Sequence, residues 1–164
     1  MKTDEDLTKS ERPSPGRGKR RLGGHASTIR ILLVDDHALV REGLKRVLSS
    51  MVGVVIVGEA ASGEEAVVRA SDLQPDLVIM DLSLPGMSGI DAVRVIKTEC
   101  PETRILALTM HEEEVYIRGA LEAGASGYVV KDTRPSELVA AIEAVHRGEQ
   151  NVMVGGVSAR FRKP

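Results

Sequence analysis

Five short apolar runs, each followed by a stretch at helical spacing, constrain this chain more than any other feature of it. The runs are Ile29-Arg-Ile-Leu-Leu-Val34, Val54-Val-Ile-Val57, Leu77-Val-Ile-Met80, Arg104-Ile-Leu-Ala-Leu-Thr109 and Gly127-Tyr-Val-Val130. The third has no polar alternation at all, which suits a strand buried on both faces in the middle of a parallel sheet. After the first run, Val40, Leu44, Val47, Leu48 and Met51 fall on one helical stripe, closed by Gly53. Ser62-Gly-Glu-Glu65 reads as an N-cap with acids in the first turn, opening a helix through Ala66, Val67, Ala70 and Leu73 to Gln74-Pro75. A third helix spans Gly89 to Cys100 and stops at Pro101. A fourth spans Glu112 to Glu122, its early acids complementing the helix dipole and Gly124 ending it. A fifth opens at Pro135 and ends at Gly148.

Strict strand–helix alternation implies a parallel sheet with helices on both faces, because right-handed crossovers place them there. The expected fold is therefore α/β, a single doubly wound domain over 29–148 with five parallel strands in the order 2-1-3-4-5. That order puts a switch point between the first and third strands, and open sheets of this kind bind ligands at such a point, beyond the carboxyl ends of the strands. The flanks differ. Residues 1–28 hold the Pro13-Ser-Pro-Gly-Arg-Gly segment and seven basic against four acidic residues, and are expected to be a disordered basic tail. Residues 149–164, with Gly155-Gly156 and a basic finish, are expected to be a flexible C-terminal tail.

Composition removes several function classes. With 164 residues, 42% hydrophobic, the chain can bury one core, and a net charge of −2 does not draw it to nucleic acid or anionic lipid. Cys100 stands alone, which leaves no intramolecular disulfide or thiolate metal cluster. No apolar run approaches the roughly 20 residues that span a bilayer, and the charged N-terminus does not resemble a secretory signal. A cytoplasmic protein with no membrane partner is expected. One Phe, two Tyr and no Trp leave few platforms for stacking single-stranded nucleic acid.

Five polar side chains gather at the expected ligand rim. The first strand runs into Asp35-Asp36, the third into Asp81, the fourth ends on Thr109 and the fifth runs into Lys131. Singly, each has a plain structural explanation: Asp36 as a helix cap, Asp81 as a turn residue, Thr109 as an ordinary strand residue, Lys131 as a surface cation. Together they crowd three carboxylates that repel one another unless a cation compensates. Oxygen-only ligands without His or Cys point to a hard ion, Mg²⁺, and His37 beside the acids reads better as a polar helix-start residue than as a ligand. Mg²⁺ and the Lys131 ammonium would neutralise a transferring phosphoryl group, with the Thr109 hydroxyl adding a hydrogen bond. Attack by a carboxylate would give an aspartyl phosphate, and Asp81 is the better nucleophile candidate because Pro85-Gly86 and Ser88-Gly89 frame it with an open loop.

The strings ILLVDDHALVREGL, DLVIMDLSLPGMSGIDAV, ILALTMH and EAGASGYVVKD resemble the response regulator receiver domain of the NarL/FixJ (LuxR-type) group over roughly residues 29–149. The resemblance implies a flavodoxin-like fold and phosphorylation of Asp81 by a sensor histidine kinase. It also implies Mg²⁺ held by Asp36, Asp81 and the backbone carbonyl of Ser83, with Asp35 assisting through water. Lys131 would pair with the phosphate, and Thr109 and Tyr128 would form a switch pair, Tyr128 turning into space that Thr109 vacates. Slow self-phosphorylation and autodephosphorylation are the most that is expected by way of enzyme activity. A homodimer formed on phosphorylation is an expected partner. Many receivers carry Pro directly after this lysine; here Asp132 follows, so the family does not dictate the geometry of that loop.

Regulators of this group normally continue into a helix-turn-helix that reads DNA. The segment 149–164 is too short for one, so sequence-specific DNA binding is not expected of this chain alone, although a tie to transcription regulation is. Two other readings remain beside the receiver: a truncated LuxR-type DNA-binding transcription factor, and a Mg²⁺-dependent phosphatase with an Asp nucleophile. The second would want another acid near Asp81 to protonate a leaving group, and Asp81-Leu82-Ser83 does not offer one.

Overall fold

The computed structural model describes residues 28–110 and 113–155. Residues 1–27 of the expected N-terminal tail and 156–164 of the C-terminal one lie outside the described residues. The strands are β1 (Ile29–Val34), β2 (Val54–Ala60), β3 (Leu77–Asp81), β4 (Arg104–Thr109), β5 (Gly127–Val130) and β6 (Val152–Val154). The helices are α1 (Ala38–Ser49), α2 (Gly63–Leu73), α3 (Gly89–Glu99), α4 (Glu114–Ala123) and α5 (Pro135–His146). All strand pairs are parallel and the sheet order is β2-β1-β3-β4-β5-β6.

Alternation along each strand divides the core between two faces. Leu32, Val34, Val78, Met80, Ile105, Ala107, Tyr128 and Val130 pack under α2, α3 and α4 through Ala66, Ala70, Val93, Ile96, Ile117 and Ala120. Ile31, Leu33, Leu77, Ile79, Leu106, Leu108 and Val129 face α1 and α5 through Leu44, Leu48, Leu138, Ile142 and Val145. Every residue of β3 is buried, as its uninterrupted apolar run requires. The crossover from α2 to β3 turns at Gln74 (φ 47°), and α4 ends on Gly124 (φ 114°), whose backbone N–H bonds the last turn as a left-handed cap. Among the described residues, no helix is long and apolar enough to cross a membrane.

The expected five-stranded sheet needs correction, because it has six strands. The chain does not leave the sheet at 148 for a flexible tail: Gly148 (φ 98°) and Asn151 (φ 56°) turn it back, and Val152–Val154 pairs with Gly127–Val129. The cause is β5, which is buried throughout and would otherwise be an edge strand with unpaired backbone groups. A three-residue run is too short to show a period, and the Gly-Gly beside it masks the signal. Strand β2 is also longer than Val54–Val57, carrying Gly58-Glu59-Ala60 past a register shift between Ile31 and Leu32 to the level of Asp35.

Candidate functional site

Asp35 lies one residue past β1, and its N–H still donates to the Ala60 carbonyl at 3.1 Å, so the ladder continues and carries its carboxylate inward. The residue is fully buried. Its Oδ1 accepts the backbone N–H of His37 at 2.8 Å. His37, not Asp36, is the N-cap residue of α1, and its ring makes no cap hydrogen bond. Asp36 is therefore spared for the pocket; its carboxylate lies 3.1 Å from His37 Nδ1 and keeps 29% side-chain exposure.

Asp81 ends β3, beside β1, and is 1% exposed. Lys131 reaches in from the end of β5 and lies between the two buried acids, its Nζ 3.0 Å from Asp81 Oδ2 and 2.8 Å from Asp35 Oδ2. The contact with Asp81 is a directed hydrogen bond, whereas the one with Asp35 is close in distance but off the bonding direction. Burial alone would lower the Lys131 pKa; the two carboxylates outweigh it and hold the ammonium above its usual value. Burial pushes the Asp81 carboxyl up, against the Ser83 N–H bond to Oδ1 (3.0 Å) and Lys131, while the Asp35 charge adds to the rise. Burial disfavours the charge of both partners, but the single ammonium has two anions to offset it, whereas Asp81 shares its one cation with Asp35.

The loop from Leu82 to Ser88 is pinned at three places. At its start, Ser83, itself exposed, donates to Asp81. At its end, Gly89 packs so tightly that a Cβ there would fall 2.3 Å from the Asp81 carbonyl oxygen and 2.5 Å from Leu82 Cα. In its middle, Met87 N–H donates to Glu64 Oε1 at 2.9 Å, and Gly86 (φ 72°) sits against the same carboxylate. The two acids after Ser62 thus divide their work. Glu65 turns back to accept the Ala61 N–H at 3.1 Å while the Ser62 hydroxyl accepts the Glu65 N–H, a reciprocal cap reaching one residue beyond the N-cap, and Glu64 crosses to the loop. The sequence showed both as first-turn acids and did not separate them.

Thr109 is fully buried at the end of β4, and its carbonyl accepts the Lys131 N–H at 2.8 Å. Tyr128 does not reach the rim. It faces Ala107 on β4 and Met153 on β6, on the same side of the sheet as Thr109 and two positions lower in register, and is 2% exposed. In the arrangement seen here its ring is already inside. After Lys131, the chain turns by a Thr133 N–H bond to the Val130 carbonyl at 3.0 Å, with Asp132 in the turn.

The structure thus brings Asp35, Asp36, Asp81, Thr109 and Lys131 to one end of the sheet, with His37 beside them. One ligand atom each from Asp35, Asp36, His37 and Asp81 lies within 4.8 Å of the others. Asp35 Oδ2 is buried and receives no directed hydrogen bond from the described residues. Three carboxylates at this spacing, with one ammonium between two of them, form an oxygen donor set short of positive charge, so the residues present fit a Mg²⁺ site. Arg41 was not singled out by its sequence position, yet it donates to the Asp35 carbonyl at 2.6 Å.

Comparison with known proteins places the chain in a family. The model of the response regulator receiver domain matches residues 31–143. Response regulator GacA of Pseudomonas viridiflava is 41% identical over 124 residues, which are 76% of this chain and 58% of that protein. The chain thus spans a little over half the length of such relatives. Among solved structures, a LuxR-family two-component response regulator from Aurantimonas sp. SI85-9A1 superposes with a TM-score of 0.76 at 46% identity, covering 82% of this chain and 94% of that one. The isolated receiver domain of RcsB from Salmonella enterica serovar Typhimurium, solved with the phosphomimetic BeF3−, gives a TM-score of 0.74 at 26% identity, covering 84% and 100%.

Proposed function

The chain belongs to the response regulator receiver family, and from that premise we propose that Asp81 is its phosphoacceptor, loaded by a sensor histidine kinase and read out through a change at its surface. The observation that carries the assignment is the position of Asp81, a buried carboxylate held between a backbone N–H and an ammonium, beside two further acids.

The transfer is a displacement at phosphorus. An Asp81 carboxylate oxygen forms the new O–P bond as the P–N bond to the kinase imidazole breaks, and the leaving imidazole takes up a proton. The pieces on this chain do little covalent work; they place and neutralise charge. Ser83 N–H fixes one carboxylate oxygen, leaving the group oriented. Lys131, held as a cation by its neighbours, meets the incoming phosphoryl oxygens. Asp36, Asp81 and the Ser83 carbonyl would hold Mg²⁺, with Asp35 acting through water, and the bound ion would supply charge neutralisation that the single ammonium cannot. Thr109, at the end of the adjacent strand, would hydrogen-bond the phosphoryl group.

Phosphorylation replaces the single negative charge of the Asp81 carboxylate with about two on the phosphoryl oxygens, a net gain of about one in a pocket already short of cations. Thr109 moves to bond them, and Tyr128, on the same face two positions away, holds the buried position seen here more firmly. That biases the surface formed by α4, β5 and α5, which a partner then selects. Readout by homodimerisation is a further part of this reading, and so is a place in transcription regulation, which the name of a relative supports: the transcriptional regulatory protein YxjL of Bacillus subtilis, 41% identical over 121 residues. Beyond slow self-phosphorylation and autodephosphorylation, no turnover is proposed.

Incubation with acetyl phosphate and Mg²⁺ followed by intact-mass measurement tests the assignment. A single addition of one phosphoryl group is expected, absent without Mg²⁺ and absent in Asp81→Asn. Full labelling of Asp81→Asn would overturn it.

A further inference from the structure

Asp36 is the acid of the cluster with the least to hold it. Its side chain is 29% exposed, and the group it touches, the His37 ring, is itself 67% exposed. An exposed ring restrains little, so the direction of the Asp36 carboxylate depends on the peptides on either side of it; the following one is tied by the His37 N–H bond to Asp35 Oδ1 at 2.8 Å, and the preceding one remains to be fixed. Asp35, whose carbonyl belongs to that peptide, is held at both of its own backbone groups. Asp35 N–H bonds the Ala60 carbonyl of β2 at 3.1 Å. The Asp35 carbonyl, which is the oxygen of the Asp35–Asp36 peptide, accepts from Arg41 Nη1 at 2.6 Å.

Arg41 is in turn held on its other edge. Its Nε lies 3.1 Å from Glu59 Oε1, and Lys45 Nζ lies 2.8 Å from Glu59 Oε2. The Arg41 side chain is 19% exposed, so the fork is partly shielded from water. A guanidinium suits this place because its donors have a fixed relative geometry and can bridge two acceptors at once, which an ammonium on a flexible stem does poorly. The network links α1, the end of β1 and β2 through one side chain.

We propose that Arg41 is a positioning residue for the metal site: with Glu59 behind it, it orients the Asp35–Asp36 peptide and so aims the Asp36 carboxylate into the pocket. The inference rests on the reading of Asp35, Asp36 and Asp81 as the Mg²⁺ site. It also has a sign that simple electrostatics does not share. Taking a positive charge away from an acidic pocket should tighten binding of a divalent cation, whereas losing a residue that aims a ligand should weaken it.

The test is calorimetric titration of the unphosphorylated full chain with Mg²⁺, for the wild type, Arg41→Gln, Arg41→Lys and Asp36→Asn, with thermal unfolding confirming that each is folded. Arg41→Gln is expected to weaken Mg²⁺ binding by roughly tenfold, the usual cost of losing a residue behind a metal ligand. Arg41→Lys keeps the charge but cannot bridge both acceptors, and is expected to fall between Gln and wild type. The loss is expected to persist in 0.5 M NaCl, where long-range charge effects are screened. Mg²⁺ binding by Arg41→Gln as tight as or tighter than wild type, with Asp36→Asn impaired, would overturn the role of Arg41 alone. Unimpaired binding by Asp36→Asn would overturn the metal-site reading and this inference with it.

Discussion

Replacing Asp81 by Asn should make the metal-free protein more stable, although it removes a charge that contacts a lysine. At the observed 3.0 Å and an effective dielectric of ~20, the attraction to Lys131 is about 5–6 kcal/mol. An oxygen of Asp35 within 4.8 Å returns at least ~3 kcal/mol of repulsion at the same dielectric. The net attraction of about 2 kcal/mol must be set against several kcal/mol for taking a carboxylate out of water. The ionised Asp81 thus costs on the order of 1–2 kcal/mol, and Asn, which can still accept from Ser83 N–H or Lys131, escapes it. For a domain of this size that corresponds to a rise in Tm of roughly 5 °C. The dependence on pH follows from the raised Asp81 carboxyl. The folded state binds this proton more readily than the unfolded one, so the contribution of Asp81 to stability is greatest below its unfolded pKa of ~3.9 and is lost as pH rises through the higher folded value. The gap between Asp81→Asn and wild type should therefore be closed near pH 4 and fully open at neutral pH. Circular dichroism melts in EDTA across pH 4–8 measure it, and added Mg²⁺ should stabilise the wild type more than the variant. A variant less stable than wild type at pH 7 in EDTA, or a gap that does not change with pH, would refute the reasoning.

Two further substitutions probe the scaffold of the site. Gly89→Ala places a methyl 2.3 Å from the Asp81 carbonyl oxygen and 2.5 Å from Leu82 Cα, backbone atoms that cannot turn aside; urea denaturation should show a loss of at least about 1–3 kcal/mol, the range for overpacking a tight interior. Gly127→Ala would meet the Val152 carbonyl at 2.6 Å, so hydrogen exchange should show the β6 amides Val152–Val154 losing protection while the amides of β3 keep theirs.

The buried runs and their alternation with helical stripes were enough to place five strands and five helices, since burial on both faces writes itself into composition. The acids at the strand ends could be read for the same reason: a carboxylate directly after a run such as Leu77–Met80 has few structural uses at a switch point. Strand β6 was missed because its stabilisation is not local. Val152-Met-Val154 has no period of its own and forms a strand because β5 presents it an open edge.

The division of labour within residue types was likewise beyond the sequence. Glu64 and Glu65 are adjacent and alike, yet one caps its helix and the other crosses to the Met87 N–H. Arg41 reads as a polar residue on an amphipathic helix, and its bond to the Asp35 carbonyl exists because β2 runs on far enough to set Glu59 behind it. The sequence alone determined the layer architecture and which carboxylates meet, because hydrophobic periodicity and strand order are properties of the chain. Only the tertiary structure decided that two of those carboxylates share one ammonium and that Tyr128 is already buried against Met153, because such balances depend on distances between elements far apart in the chain.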